Sequence, residues 1–199
     1  MNKKQEELGE VIRENCTMKD IVYDPTSGDF VQVEKGSIPK NGDIVTEMTE
    51  KGFAFNVGQM TPERFEAEKH ILGRKLPRNA FLFKEDEGKP YLLMAAKTSC
   101  ANLYGVRIDL ESFPYSIPHV EILKMLKDKD GNELNTTSAS MHVLSSRHGG
   151  TAICHYGDSD WTPMVSLYKI YIRVRIWLEM YELHLDTGNP IDYYLEHAS

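Results

Sequence analysis

One cysteine of this chain stands in a setting that suits covalent chemistry. Cys154 ends the segment GGTAIC at residues 149–154, and it belongs to no obvious stripe of core residues. A thiolate is a strong nucleophile and a good leaving group, so this thiol could take up an acyl group and pass it on. Most free cysteines are small buried apolar residues instead. The glycines and polar residues that precede Cys154 favour the nucleophile.

Several groups close to Cys154 in sequence could assist such a transfer. Acyl transfer passes through an oxyanion, and one donor aimed at that oxygen lowers the barrier by roughly 3 kcal/mol. The candidate donors are local backbone N–H groups and the side chains of His142, His148, Ser145 and Ser146. His148 could also tune the thiol, although an exposed loop histidine is an equal alternative. His155 follows the cysteine directly and is expected to point away from it.

Four carboxylates could orient or deprotonate an attacking amine. They are Asp158, Asp160, Asp186 and Asp192, and all of them follow the cysteine in the sequence. Asp is mostly a surface residue, so the simpler interpretation of each is a solvated loop carboxylate.

A helix and a group of strands would have to hold the cysteine segment. Thr61 suits a helix N-cap and Pro62 the first helical position, and an apolar stripe then runs to Pro77, which ends the helix. Four strand-like runs follow and predict an antiparallel meander, at residues 80–84, 90–96, 105–110 and 119–123. A polar loop at residues 127–140 then leads towards the cysteine.

A long helix is predicted after the cysteine segment. Thr162 suits an N-cap and Pro163 the first turn, so this helix is expected to start directly after Trp161. Apolar residues then repeat at helical spacing as far as Leu185, and Gly188 is a suitable end. Helix, four-stranded meander, cysteine segment and long helix together predict an α+β domain.

The 199 residues divide into two parts near residue 58. Residues 1–58 are predicted to form a small β-rich extension or docking module, and residues 59–199 the catalytic domain. The predicted elements of the extension are a helix at 4–15, a hairpin around the turn at 24–29, and short strands at 43–47 and 53–57.

The order of the elements and three short motifs resemble the ubiquitin-conjugating fold between residues 61 and 192. The runs GVRIDL at 105–110 and FPYSIPHV at 113–120 are similar to the third strand and the YPFxPPxV crossover of that family. GGTAIC is similar to the family's active-site GxIC, and WTP at 161–163 stands where the family has WSP. In this order and spacing, the motifs form a specific signal.

The end of the chain refines this resemblance. IWLEMYE at residues 176–182, followed by Thr187-Gly188, is similar to the WLxxYExxxxTG ending of the long helix in the bacterial branch of the family. Relatives of that branch occur in antiphage operons beside an activating enzyme, a ubiquitin-like protein or a nucleotidyltransferase. The resemblance therefore implies partners of these kinds and a role in antiviral defence.

The resemblance implies a ubiquitin-like conjugating enzyme, an acyltransferase without a cofactor, with Cys154, His142 and His148 as its catalytic residues. Cys154 would carry the C-terminus of a ubiquitin-like protein as a thioester and transfer it to an amine of a target. His142 takes the place of the family's loop histidine, which mostly holds the loop. The family's His-Pro-Asn motif is absent, and its acidic residue has two displaced candidates, Asp186 and Asp192.

Two other interpretations remain open. The lost His-Pro-Asn motif favours a catalytically inactive scaffold that binds partners of such a system, whereas the retained cysteine opposes it. A cysteine hydrolase that pairs Cys154 with His142 or His148 is less favoured, because its nucleophile and base are usually far apart in the sequence.

Composition limits the partners and the compartment. The net charge of −7 disfavours binding to nucleic acid or to an anionic membrane surface. Residues 1–10 are charged without an apolar signal core, and no apolar run suits a membrane span. An odd number of cysteines without a CxxC pair fits a reducing cytoplasm and offers no zinc pattern. Cys16 and Cys100 are expected to be incidental.

Overall fold

The structure, a computed structural model, describes residues 20–24, 26–33, 57–77 and 79–196. The helix predicted at residues 4–15 and the strand predicted at 43–47 lie outside these ranges, as does most of the strand predicted at 53–57. In chain order, the described elements are β1 (Asp20–Asp24), β2 (Asp29–Val33), α1 (Pro62–Lys75), β3 (Phe81–Asp86), β4 (Lys89–Lys97), β5 (Leu103–Asp109), β6 (Val120–Ile122), β7 (Val143–Leu144), β8 (Thr151–Ile153), a 3₁₀ turn (Asp158–Asp160), α2 (Leu167–Thr187) and α3 (Ile191–Glu196).

Strands β3 to β8 form one antiparallel sheet with the order β3-β4-β5-β6-β8-β7. The predicted meander is present as β3 to β6, and the α+β class is confirmed. Two further strands that the sequence did not predict, β7 and β8, extend the sheet to six. These two strands have two and three residues, which is too short for a periodic pattern to reveal them.

Both long helices cover one face of the sheet. Phe65 of α1 meets Phe83 of β3 edge to face, with ring centroids 4.8 Å apart. Glu182 of α2 accepts a hydrogen bond of 2.9 Å from the hydroxyl of Tyr104 on β5. The interior of β4 is buried on both faces, which explains its uninterrupted apolar run PYLLMAA.

The predicted start of the long helix directly after Trp161 was wrong. The N-cap of α2 is Ser166, whose side chain accepts the N–H of the third helical residue. The Arg64 guanidinium of α1 donates to the carbonyl oxygens of Pro163 and Val165 at 2.8 and 2.7 Å. Because these carbonyls serve α1, the chain reaches helical geometry one turn later. The N-cap of α1, Thr61, is confirmed.

The helix α2 ends where it was predicted to end, but the side chain that is buried near this end is not the predicted one. Gly188 caps the helix with a left-handed φ of 84°, as glycine allows. Leu185 was predicted to face the core, but it is exposed. His184 is buried in its place, because its ring meets the Asn189 carbonyl at 2.8 Å and accepts the Lys129 N–H at 3.1 Å.

The predicted hairpin is confirmed as β1 and β2, and it packs on the sheet face opposite the helices. Phe30 is buried with the main core. A Cβ on Gly105 of β5 would lie 2.3 Å from a carboxylate oxygen of Asp29, so only glycine admits this approach. The ammonium of Lys84 on β3 stands 4.9 Å from the ring centroid of Tyr23. The division near residue 58 stays a prediction.

We predict that Phe30→Ala lowers the free energy of unfolding of the sheet by about 3 kcal/mol, because it removes a large buried side chain. Urea unfolding followed by fluorescence of Trp161 and Trp177 reports on the sheet and helices rather than on the hairpin. The neighbouring Val31→Ala, at an exposed position, is the matched control and should change stability by less than about 0.5 kcal/mol. An unchanged urea midpoint in Phe30→Ala would mean that the sheet does not depend on the hairpin.

Candidate active site

Strand β6 carries a buried carboxylate, Glu121, which gathers the chain segment that leads to Cys154. The residue is 1% exposed. Its oxygens accept hydrogen bonds of 2.6 to 3.2 Å from the N–H groups of Arg147, His148 and Gly150, the Ser146 hydroxyl and the His119 ring. A buried charge is costly unless it is hydrogen-bonded, so these bonds hold the donor segment against β6.

The hydrogen bonds determine the charge state of Glu121. Burial by itself would raise the pKa of this carboxyl. The bonds outweigh burial, led by the Arg147 N–H and the His119 ring, and lower the pKa to about 2. Glu121 is therefore an anion over the whole physiological range.

The path of the chain around Glu121 requires both glycines of the GGTAIC segment. Gly149 has a left-handed φ of 86°. A Cβ on Gly150 would lie 1.9 Å from the carbonyl oxygen of Ile122, so the chain passes too close to β6 for any side chain. The segment then continues as β8, paired with β6 on one side and β7 on the other.

Cys154 is the first residue beyond β8. Its N–H donates to the carbonyl oxygen of His142 at 2.8 Å. This bond continues the ladder of β7 and β8, in which Val143 pairs with Ile153, so His142 and Cys154 are the next opposed residues. The thiol is partly exposed and lies 3.8 Å from the carbonyl oxygen of Tyr156. The sequence-predicted nucleophile therefore stands at a strand end, within reach of solvent.

His142 is held by its backbone and by its ring. It has a positive φ of 50°, and its N–H donates to the Ala139 carbonyl at 3.0 Å. Its Nε2 lies 2.6 Å from a carboxylate oxygen of Asp192 on α3. The structure therefore pairs the His142 ring with Asp192 and joins His142 to Cys154 through their backbones.

The other candidate donors are engaged elsewhere. The Nε2 of His148 lies 2.9 Å from a carboxylate oxygen of Asp109. Ser146 donates to Glu121, and the hydroxyls of Ser145 and Thr137 lie 3.2 Å apart. The N–H groups that were considered as oxyanion donors include three that point at Glu121 instead. These groups shape the segment before the cysteine and bind one another, not the thiol.

The residues after Cys154 pack against α2. Arg173 donates to the carbonyl oxygen of His155 at 3.3 Å, and its guanidinium lies 4.0 Å from the ring centroid of Tyr156. Trp161 packs edge-on against Tyr156 and donates from its indole N–H to the Pro114 carbonyl at 3.0 Å. The spacing of Arg173 along α2 gives no signal for this contact in the sequence.

His155 is buried, and its ring is neutral near pH 7. Burial lowers its pKa to about 4, and the charges of Arg173 and His119 act in the same direction. A hydrogen bond with the Ile153 backbone opposes them and is outweighed. This histidine belongs to the packing beneath the segment.

Of the four candidate carboxylates, Asp192 alone has a hydrogen bond to the histidine opposite Cys154. Asp158 and Asp160 lie exposed in the 3₁₀ turn. Asp186 is exposed, and its backbone carbonyl accepts a hydrogen bond from the Lys129 ammonium.

Sequence reasoning missed Glu121, although the sequence carries a signal for it. A charged residue stands inside the apolar strand β6, VEI, where burial is expected on both sides. Charged residues are almost never fully buried unless they are paired, so a glutamate at this position predicts hydrogen-bond donors around it.

The described part of the chain offers neither a metal centre nor a membrane span. No group of three or more His, Cys, Asp or Glu side chains among the described residues could hold a metal ion. None of the described helices has the length and apolar character to cross a bilayer.

Comparisons of the chain with models of protein families, with curated proteins and with solved structures found no match. The geometry around Cys154 and the sequence motifs are therefore the basis for proposing a function.

We predict that Glu121→Gln lowers the free energy of unfolding by roughly 3 kcal/mol at pH 7, since the folded pKa lies well below the ordinary value of 4.5. The sign follows from that direction: the contribution is complete above the ordinary value and is lost as the pH falls towards about 2. Urea unfolding at a series of pH values measures it.

The gap between wild type and Glu121→Gln should therefore close on the acid side. The exposed Glu111→Gln is the matched control and should follow the wild type at every pH. A gap that stays constant between neutral and acid pH would contradict the charged role of Glu121.

Proposed function

We propose that this chain is a ubiquitin-like protein conjugating enzyme, an acyltransferase that carries its cargo as a thioester on Cys154. The cargo is the C-terminus of a ubiquitin-like protein or an equivalent acyl group, and an amine of a protein target receives it. The fold proposed with this function is the ubiquitin-conjugating fold, of which the α+β class, the antiparallel sheet and the long C-terminal helix are the described parts.

The observation that carries this proposal is the position of Cys154. Its thiol is partly exposed at the end of β8, and the chain on both sides is fixed, by Glu121 before it and by Arg173 after it. A thioester carrier needs a nucleophile that two large partners can reach in turn. It also needs a segment that does not move when the cargo is attached.

The thiol needs little activation for this chemistry. The incoming acyl group is already activated as a thioester, and exchange between two thiols has almost balanced leaving groups. This accounts for a site in which the Cys154 sulfur meets a backbone carbonyl, that of Tyr156, at 3.8 Å.

The proposed setting follows from the resemblance to the bacterial branch of the family. We propose a cytoplasmic protein of an antiviral defence system that acts with an activating enzyme and a ubiquitin-like protein. Its target is a protein, for which a nucleotidyltransferase of the same operon is one candidate, and neither nucleic acid nor membrane is a partner. The acidic net charge of −7 agrees with protein partners.

The second candidate function is a catalytically inactive scaffold of the same system. The missing His-Pro-Asn motif is the observation that favours it. The hydrogen bonds of Glu121 weaken this argument, because they order the segment before Cys154 without that motif.

We predict that co-expression with the flanking genes gives wild-type chain an adduct that reducing agent removes, as measured by intact-protein mass spectrometry. Cys154→Ser should give an adduct that resists the reductant, because an oxygen ester replaces the thioester. Cys154→Ala should give none. The matched control is Cys100→Ala, at an exposed cysteine, which should keep the adduct.

Each alternative has its own outcome in this experiment. An adduct on Cys154→Ala would contradict the carrier role. No adduct on wild type beside a working activating enzyme would favour the scaffold. Cleavage of a ubiquitin-like adduct by water, with no transfer to an amine, would favour a cysteine hydrolase.

A further inference from the structure

We propose that His142 takes the proton from the amine that attacks the thioester on Cys154, and that Asp192 is the positioning residue that holds His142 for this step. The inference rests on the proposed function and names the proton acceptor for its second half-reaction.

His142 is the residue opposite the nucleophile in the β7–β8 ladder. The Cys154 N–H donates to its carbonyl oxygen at 2.8 Å, which fixes the two backbones against each other. The two residues are therefore neighbours along the backbone at the end of the β7–β8 ladder. The His142 side chain is 30% exposed, so an incoming amine can reach the ring.

Asp192 determines which ring nitrogen can act as a base. Its carboxylate oxygen lies 2.6 Å from Nε2 of His142. An ionised carboxylate only accepts hydrogen bonds, so Nε2 carries the hydrogen and the lone pair of the neutral ring is on Nδ1. The imidazole and the carboxylate are thus paired as a base and its orienting group are in covalent catalysis.

The backbone of His142 is a second, independent observation. A φ of 50° is a left-handed conformation, which is uncommon for a residue with a Cβ. Glycine or asparagine would take this conformation more easily. Residues of this kind cluster at functional sites, and of the four non-glycine residues with positive φ in the described part of the chain, His142 is the one bonded to the Cys154 backbone.

Several further contacts hold His142 and Asp192 together. The Asp192 N–H donates to the Ser140 carbonyl at 3.0 Å, and the Trp177 indole donates to the Met141 carbonyl at 3.2 Å. Ile191, the residue before Asp192, is fully buried. These contacts fasten α3 and α2 to the loop that ends in His142.

The proposed step balances as follows. The amine nitrogen forms a bond to the thioester carbon, and one of its protons passes to Nδ1 of His142. The bond from that carbon to Sγ of Cys154 breaks, and the sulfur keeps the electron pair. The proton on the imidazole then neutralises the thiolate, which leaves an amide and the original thiol. A positioned base typically accelerates such a step by about 10²- to 10⁴-fold.

A small probe tests the step without knowledge of the natural cargo. The full chain with Cys16→Ser and Cys100→Ser leaves Cys154 as its thiol. The mercaptoethanesulfonate thioester of acetyl-glycyl-glycine loads it, and excess probe is removed. Lysine amide is then added. Intact mass spectrometry follows loading and loss of the adduct, and chromatography follows the amide product.

We predict that His142→Gly and Asp192→Asn load at nearly the wild-type rate but form the amide about 100-fold more slowly. The double variant should be no slower than His142→Gly alone, because the two residues act as one unit. Added imidazole should restore amide formation in His142→Gly, and Asp192→Glu should keep part of the rate. Asp186→Asn is the matched control, at the other displaced carboxylate, and should equal wild type.

The outcomes separate the two proposals. If the wild type does not take up the acyl group, the proposed function is overturned, and so is the proposed role of His142 as the base. Normal loading with amide formation in His142→Gly and Asp192→Asn close to the wild-type rate overturns the inference alone. Loading and transfer that fall together, with no rescue by imidazole, would mean that His142 only holds the loop, and this also overturns it.

Discussion

The charge of Glu121 is the constraint on which the rest of the site depends. An ionised carboxylate that is 1% exposed must have its oxygens satisfied inside the protein, because an unpaired buried charge would cost several kcal/mol. All but one of its donors come from residues 146–150, and the exception is the His119 ring. These bonds hold the segment against β6, and β8 and Cys154 follow directly after it.

A second buried carboxylate fixes the chain on the far side of the cysteine. Glu68 of α1 is 1% exposed, pairs with Arg64 at 2.8 Å and accepts the N–H of Leu167 at 2.9 Å. Arg64 in turn takes the carbonyl oxygens that precede α2. Glu121 and Glu68 thus anchor the two ends of the polypeptide that carries Cys154, and neither is near enough in sequence to be linked to it by a motif.

This arrangement explains which features the sequence could predict. Local signals succeeded where local bonds decide the structure, as at the N-cap Thr61 and the end of α2 at Gly188. They failed where distant groups compete for the backbone: Arg64 delays α2, and Glu121 draws a short strand onto β6. The thiol of Cys154 was proposed as the nucleophile from its setting, and that role stays a prediction. Asp192, and not Asp186, bonds to His142 because the chain reverses after α2. The spacing of residues in the sequence does not reveal the direction of this reversal.

Exposure separates the groups that hold the site from those that could act in it. The carboxylates that organise the backbone, Glu121 and Glu68, are each 1% exposed. The His142 and Asp192 side chains are 30% and 44% exposed, and the Cys154 thiol is partly exposed. A non-catalytic scaffold would need only the buried carboxylates, because its binding surface depends on packing and on an ordered backbone. The His142 imidazole stays accessible while it is paired with Asp192, and its backbone is bonded to that of Cys154. That combination is expected of a site that moves protons, and it is the strongest physical reason for preferring a transferase to a scaffold.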